Sequence, residues 1–272
     1  MRRFFSRGCR AVVRQGTAVA AAVFLTAVAA GCCSAPYTGR SQLIFYSESE
    51  DIELGESTWK QTLAAETRST DKRYNSALTR VGTRLAAVAE KPDYSWEFVV
   101  FDSDQINAFA LPGGKVAVYS ALFQLTANDA ELATVVGHEV GHALARHGVE
   151  RMSQGSVRSV GGAVVEEFFG SDWNVVYDAG SQLALMLPYS RTQEYEADKI
   201  GMILMAKAGY DPENAIRFWE KFSKLTATGT LAEFLSTHPD GGKRLEQLQE
   251  FLPEARRYYQ SAAKKLGAGE NI

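Results

Sequence analysis

The sequence predicts an α+β fold that is mainly helical, with one small β-sheet. Three observations support this. Apolar residues recur at helical spacing along most of the chain, and β-type runs are confined to "SWEFVVFDS" and "INAFALPGGKVAVYS". A length of 272 residues at 46% hydrophobic can bury a substantial core, as one large domain or two small ones. No internal repeat or low-complexity segment interrupts it.

Residues 1–31 stand apart from that core. "MRRFFSRGCRAVVRQG" carries Arg2, Arg3, Arg7, Arg10 and Arg14 and no acid, and it precedes the apolar run "TAVAAAVFLTAVAA" and then "GCCSAP". This pattern describes an export signal better than a membrane span, with an uncleaved N-terminal anchor as the alternative. The exit, "AAGC", resembles a bacterial lipoprotein box and makes Cys32 the expected lipidated residue. Ala29 stands where such boxes carry leucine, so simple cleavage after the alanines stays open. Removing the five arginines lowers Lys+Arg from 29 to 24 against 32 Asp+Glu, a net charge of −8. So acidic a chain has no electrostatic claim on nucleic acid. Cys9, Cys32 and Cys33 all lie near the N-terminus, so no disulfide framework is expected in the folded part.

Residues 32–47, including "SAPYTGRSQ", read as a tether. Helical periodicity follows over Glu48–Glu66 and Asp71–Glu90. The two short β runs about Pro112-Gly113-Gly114 read as a hairpin. Asn128 with Glu131 three residues on predicts a capped helix running to about His147 and stopping at Gly148. "VRSVGGAVVEEFFG" and "GSQLALMLPYS" are expected as helices packing around it. "TQEYEADKIGMILMAKAGY" predicts a helix ending at Gly209, and Asp211-Pro212 opens another. "KRLEQLQEFL" follows as an amphipathic helix, and residues 253–272 read as a polar, solvated tail with a frayed end.

Three of the four histidines fall in "ELATVVGHEVGHALARHG". His138 and His142 are four apart, so on a helix they share one face and can share one metal ion. Glu139 lies about 100° round from His138 and can reach a water on that ion without ligating it. This is the H-E-x-x-H arrangement of zinc hydrolases, in which zinc acidifies water and the glutamate serves as general base. A satisfied pair of core histidines is the bland reading of the five residues alone.

A catalytic zinc needs a third protein ligand. The metzincin pattern requires glycine at 145 and histidine at 148, but Ala145 and Gly148 stand there. His147 is expected instead in a helix C-terminal interaction. The third ligand is therefore expected from "SRTQEYEADKIG". There Glu194 and Asp198 are four apart and share a face while Glu196 points elsewhere, so one acid can ligate and the other brace an imidazole.

"HEVGHALARHG", then "SRTQEYEADKIG", then "STHPDGGKRL" together resemble the zinc peptidase family of the CAAX prenyl proteases, HtpX and the periplasmic BepA-like enzymes. The resemblance runs from about Pro36 to Leu252. It implies a zincin-like, gluzincin-type metallopeptidase domain over residues 48–252, with its small sheet beside the active-site helix and one Zn2+ per chain. It maps the third ligand onto Glu194 and the following aspartate onto Asp198. It also brings His238 near the metal, either to stabilise an oxyanion or to occupy the open zinc position at rest, and it makes Arg244 a brace for Glu194 or the transition state. Asn107, Ala108, Phe109 and Ala110 resemble the edge strand on which such enzymes lay an extended substrate. No multiple membrane spans and no tetratricopeptide array are evident, so the likeness is to soluble, lipoprotein-type members.

The expected function is a zinc metalloendopeptidase that cuts unfolded or misassembled cell-envelope proteins from a lipid anchor on the periplasmic side of a bacterial envelope. The alternative is a chaperone-like or protein-binding lipoprotein whose zinc is a closed structural centre with His238 as permanent fourth ligand.

Overall fold

The computed structural model describes residues 32–155, 189–226, 231–239 and 242–272. The expected signal segment and the helices expected between 156 and 188 lie outside the described residues.

The chain begins with a small antiparallel hairpin, β1 (Cys32–Ser34) against β2 (Ser41–Leu43), in the segment expected as a tether. Arg40, in the connecting loop, ion-pairs with Glu150 and Glu196, and Ile44 is buried just beyond β2. These anchors hold the segment against the body. Helix α1 (Glu48–Ala65) opens with a capping box between Ser47 and Glu50, and α2 (Lys72–Val88) is capped by Asp71. A second sheet holds β3 (Glu97–Phe101), β4 (Ala108–Leu111) and β5 (Lys115–Tyr119) in the order β3-β5-β4, with β3 parallel and β4 antiparallel to β5. The β4–β5 turn uses Gly113 and Gly114 at positive φ of 82° and 86°, which glycine adopts without strain. The order leaves β4 at an edge.

Helix α3 (Asp129–Leu144) is the centre of the molecule, and every residue in it but Glu131 is buried. An all-round apolar helix of this kind needs covering on every side. Packed around it are β4, β5, α2, α4 (Arg191–Lys207) and α5 (Glu213–Thr226). The closest partner is α4. A Cβ placed on Gly141 would lie 2.8 Å from the Ala197 carbonyl oxygen, and one on Gly201 would lie 2.8 Å from the His138 amide nitrogen. The two helices therefore meet backbone to backbone. A short helix, α6 (Ala232–Thr237), leads into His238, and α7 (Arg244–Ser261) packs on α4 and α5.

Two sequence expectations need correction. The active-site helix ends at Leu144, not His147, because Arg146 adopts φ 55°; helical structure resumes over residues 147–155. His147 therefore sits at the start of a second helical stretch. The end of the chain is not frayed either. The amides of Asp129 and Ala130 donate to the carbonyls of Glu270 and Ala268, both at 2.9 Å, and Ile272 donates to Ala127. With the Asn128 side chain accepting from Glu131, the first-turn donors of α3 are all satisfied.

Candidate active site

The seam between α3 and α4 brings the two motifs together. His138 and His142 project from one face of α3, Glu194 comes from the first turn of α4, and His238 arrives on the loop after α6. All four are no more than 2% exposed. One ligand atom from each falls within 4.8 Å of the others. His138 Nε2 is 3.1 Å from His142 Nε2 and 3.3 Å from His238 Nδ1, while Glu194 Oε1 is 3.2 Å from both His142 Nε2 and His238 Nδ1.

Proton accounting shows what such a cluster needs. His138 Nδ1 lies 2.8 Å from Asp198 Oδ1, so this nitrogen carries the hydrogen and donates it. His142 Nδ1 lies 2.8 Å from His147 Nδ1, and His147 Nε2 lies 2.9 Å from the Glu196 carboxylate. With its own proton spent on Glu196, His147 accepts from His142. Both Nε2 atoms then turn lone pairs toward each other and toward the Glu194 carboxylate. A cation among them removes that repulsion, so the donor set fits a metal, and its two-imidazole, one-carboxylate chemistry fits zinc.

The surroundings orient these groups. Arg244 donates from Nε to Asp198 at 2.7 Å and from Nη2 to Glu194 at 2.8 Å, and its guanidinium lies 3.8 Å over the Trp219 ring. Burial is the largest influence on the Glu194 carboxyl and raises it, but the His138, His142 and His238 imidazoles packed against it outweigh that and hold it far below the usual carboxylate range. Burial likewise keeps the His142 imidazole neutral, well below its ordinary value. Glu139 is fully buried beside the cluster, and burial raises its carboxyl. Its Oε1 has no hydrogen-bond partner among the described residues, with His238 Nε2 the nearest base at 3.5 Å.

Asn107 precedes β4, which carries Ala108, Phe109 and Ala110 at the sheet edge. The Asn107 carbonyl accepts from the Tyr119 amide at 3.0 Å, so by antiparallel alternation Ala108 and Ala110 turn their backbone groups away from β5, to a side with no strand among the described residues. The Asn107 side chain already accepts from the Ala108 amide. Beside β4, a void of only about 20 Å³ is lined by Ala110, Leu111, Pro112, His142 and Tyr189, among others. A surface depression of about 800 Å³ between Thr79 and Phe98 includes none of the site residues. Cys32 is the first residue of β1, its backbone opposite Leu43.

Sequence reasoning missed two parts of this arrangement. Tyr189 stacks on the His142 ring at 3.7 Å between centroids, and the Arg151 guanidinium lies 3.7 Å from the centroid of the Tyr189 ring. The sequence reading makes His147 a helix-end histidine and turns Glu196 elsewhere, whereas the two pair with each other and His147 contacts His142. The signal for the pair was an acid and an imidazole left over in the two motif-bearing segments.

Comparison with known proteins fits this geometry. The chain is 42% identical over 165 residues to the mitochondrial metalloendopeptidase OMA1 of Arabidopsis thaliana, covering 61% of this chain and 33% of that protein. To the Saccharomyces cerevisiae protein of the same name it is 32% identical over 256 residues, 86% of this chain and 73% of that one. To the beta-barrel assembly-enhancing protease of Escherichia coli it is 26% identical over 251 residues, 85% of this chain and 51% of that one. The expectation of a lipid-anchored protein on the periplasmic side of a bacterial envelope is overturned here, because the relatives at higher identity carry mitochondrial names. The physical reason is that an arginine-rich, acid-free leader is common to export signals and mitochondrial transit peptides, so charge pattern alone does not separate them. The sequence profile described as peptidase family M48 matches residues 72–252, and with most of its length inside that match the chain belongs to this family of peptidases.

Proposed function

We propose that this chain is a zinc-dependent endopeptidase that cuts extended, unfolded polypeptide in protein quality control. His138, His142 and Glu194 would hold one Zn2+, with Asp198 and Arg244 bracing them. The metal supplies Lewis acidity toward water and the scissile carbonyl. Glu139 takes the proton from the attacking water and delivers it to the leaving amine. Its raised carboxyl suits both halves of that transfer, since a base works best with a pKa near the working pH. The backbone of β4, above all Ala110, accepts the substrate as an added strand. This mode favours unfolded chains, because a folded one does not offer a free strand. The quality-control role draws on the name of the Escherichia coli relative, which refers to assembly.

One observation carries this reading: the buried Glu139, whose Oε1 has no hydrogen-bond partner among the described residues. A structural centre has no need of it, and an unsatisfied buried carboxylate oxygen costs stability. One feature favours the closed-centre alternative, namely His238, whose Nδ1 lies where a fourth ligand would lie. The two are compatible if His238 would hold the ion together with His138, His142 and Glu194 at rest and would leave room for water and substrate during turnover. The deciding experiment is Glu139→Gln, with zinc content and cleavage of unfolded casein measured together. Full zinc with cleavage abolished supports the peptidase. Fully zinc-loaded wild-type protein that leaves casein intact supports the closed centre.

A further inference from the structure

The metal cluster is tied to the hairpin at residues 32–43 by a continuous chain of polar contacts, none of which the proposed chemistry uses. His142 Nδ1 faces His147 Nδ1 at 2.8 Å, and His147 Nε2 faces Glu196 Oε2 at 2.9 Å. Arg40 Nε donates to the same Glu196 oxygen at 2.6 Å, and Thr38 donates its hydroxyl to the other. The remaining Arg40 nitrogens form a two-point clamp on Glu150, both at 2.7 Å, and Gln193 donates to Glu150 at 2.7 Å as well. His147, Glu196 and Glu150 are buried, and the Arg40 side chain is only 24% exposed.

The direction of each bond follows from its end. The Arg40 guanidinium can only donate, which fixes the Glu196 oxygen it shares with His147 as an acceptor. The acceptor holds the His147 hydrogen on Nε2. His147 Nδ1 is then an acceptor and holds the His142 hydrogen on Nδ1. That leaves the His142 lone pair on Nε2, aimed into the cluster. Buried charge explains why Arg40 matters: two acids, Glu150 and Glu196, are removed from water here, and one guanidinium ion-pairs with both.

We propose that Arg40, Glu196 and His147 are positioning residues that set the tautomer and orientation of His142, so that the N-terminal hairpin is part of the metal-binding apparatus. This rests on the metal reading above. The relay predicts that metal affinity depends on a loop that touches neither metal nor substrate. Partners of this kind are worth about 10–100-fold in metal affinity.

The test uses the full chain loaded with Zn2+ or Co2+, with affinity measured by chelator competition and ligand geometry by the visible absorption of the Co2+ form. His147→Leu, which cannot accept from His142, is expected to weaken affinity about 10–100-fold and alter the Co2+ spectrum. His147→Gln offers an oxygen to His142 and an amide to Glu196 and should restore most of both. Arg40→Met keeps the stem while removing the donors, and should weaken affinity by a smaller factor with the same spectral change. A His147→Leu protein with wild-type affinity and spectrum overturns the proposal. If His147→Leu does not fold, an Arg40→Met protein that melts earlier but binds Co2+ with unchanged affinity and spectrum overturns it equally. Wild-type protein that binds neither ion fails the metal reading itself, which separates the two failures.

Discussion

Gly141 and Ala197 touch through their backbones: a single carbon added to Gly141 would come within 2.8 Å of the Ala197 carbonyl oxygen and 3.1 Å of its Cα. Ala197 follows Glu194 by one helical turn, and Gly141 precedes His142. The spacing between the two helices at this seam is thus the spacing between the imidazoles and the carboxylate. Gly141→Ala is expected to lower stability by about 1–3 kcal/mol through overpacking. It should lower zinc affinity as well, because the helices can relieve the clash only by moving apart. Urea unfolding and zinc competition check the two effects, and unchanged affinity would uncouple the seam from the site.

His238→Ala should keep the metal, because three ligands remain, and should raise casein cleavage by opening the fourth position. A fall in turnover at full zinc content would instead assign His238 to stabilising the oxyanion. Zinc analysis alongside an initial-rate assay distinguishes the two.

Glu196 gives a pH dependence with a defined sign. Burial raises its carboxyl, but bonds from His147, Thr38 and Arg40 outweigh that and lower it from 4.5 to about 2. A carboxyl depressed in the folded state contributes stability above its unfolded pKa and loses it as pH falls through the folded one. The stability difference between wild type and Glu196→Gln should therefore be largest above pH 4.5 and shrink toward pH 2. Melting temperatures across that range test this. A constant difference would mean that Glu196 acts by packing alone.

Ala110→Pro removes an amide that faces away from β5, leaving the bonds to β5 in place. Casein cleavage should fall about tenfold or more, given that substrate main chain supplies affinity in strand addition. Zinc content and melting temperature should change little. Normal cleavage would move the substrate off this strand.

The sequence exposed the centre of this site more fully than its supports. H-E-x-x-H and the Glu194–Asp198 pair were legible because ligand chemistry demands those residue types at helical spacing, and α3 and α4 supply that spacing. Asn128 and Asp211 were legible as helix starts for a similar local reason. His147 was misplaced because the helix breaks at Arg146, and no glycine marks the positive φ there. Arg40 was invisible because its partners lie 110 and 156 residues away, and a single arginine in a loop carries no periodicity. The tail at 267–272 was missed because it binds through its backbone, which leaves no trace in side-chain pattern.

That tail ties the start of the central helix to a remote stretch of backbone. Helix α3 carries the proposed ligands, yet the amides that begin it, Asp129 and Ala130, are satisfied by carbonyls from residues 268 and 270. Asp129 and Ala130 are both fully buried, so losing the contacts at 268 and 270 would strand two amides without acceptors at a cost of about 1–3 kcal/mol each. The helix on which His138 and His142 sit is thus closed at its start by backbone from a distant part of the chain.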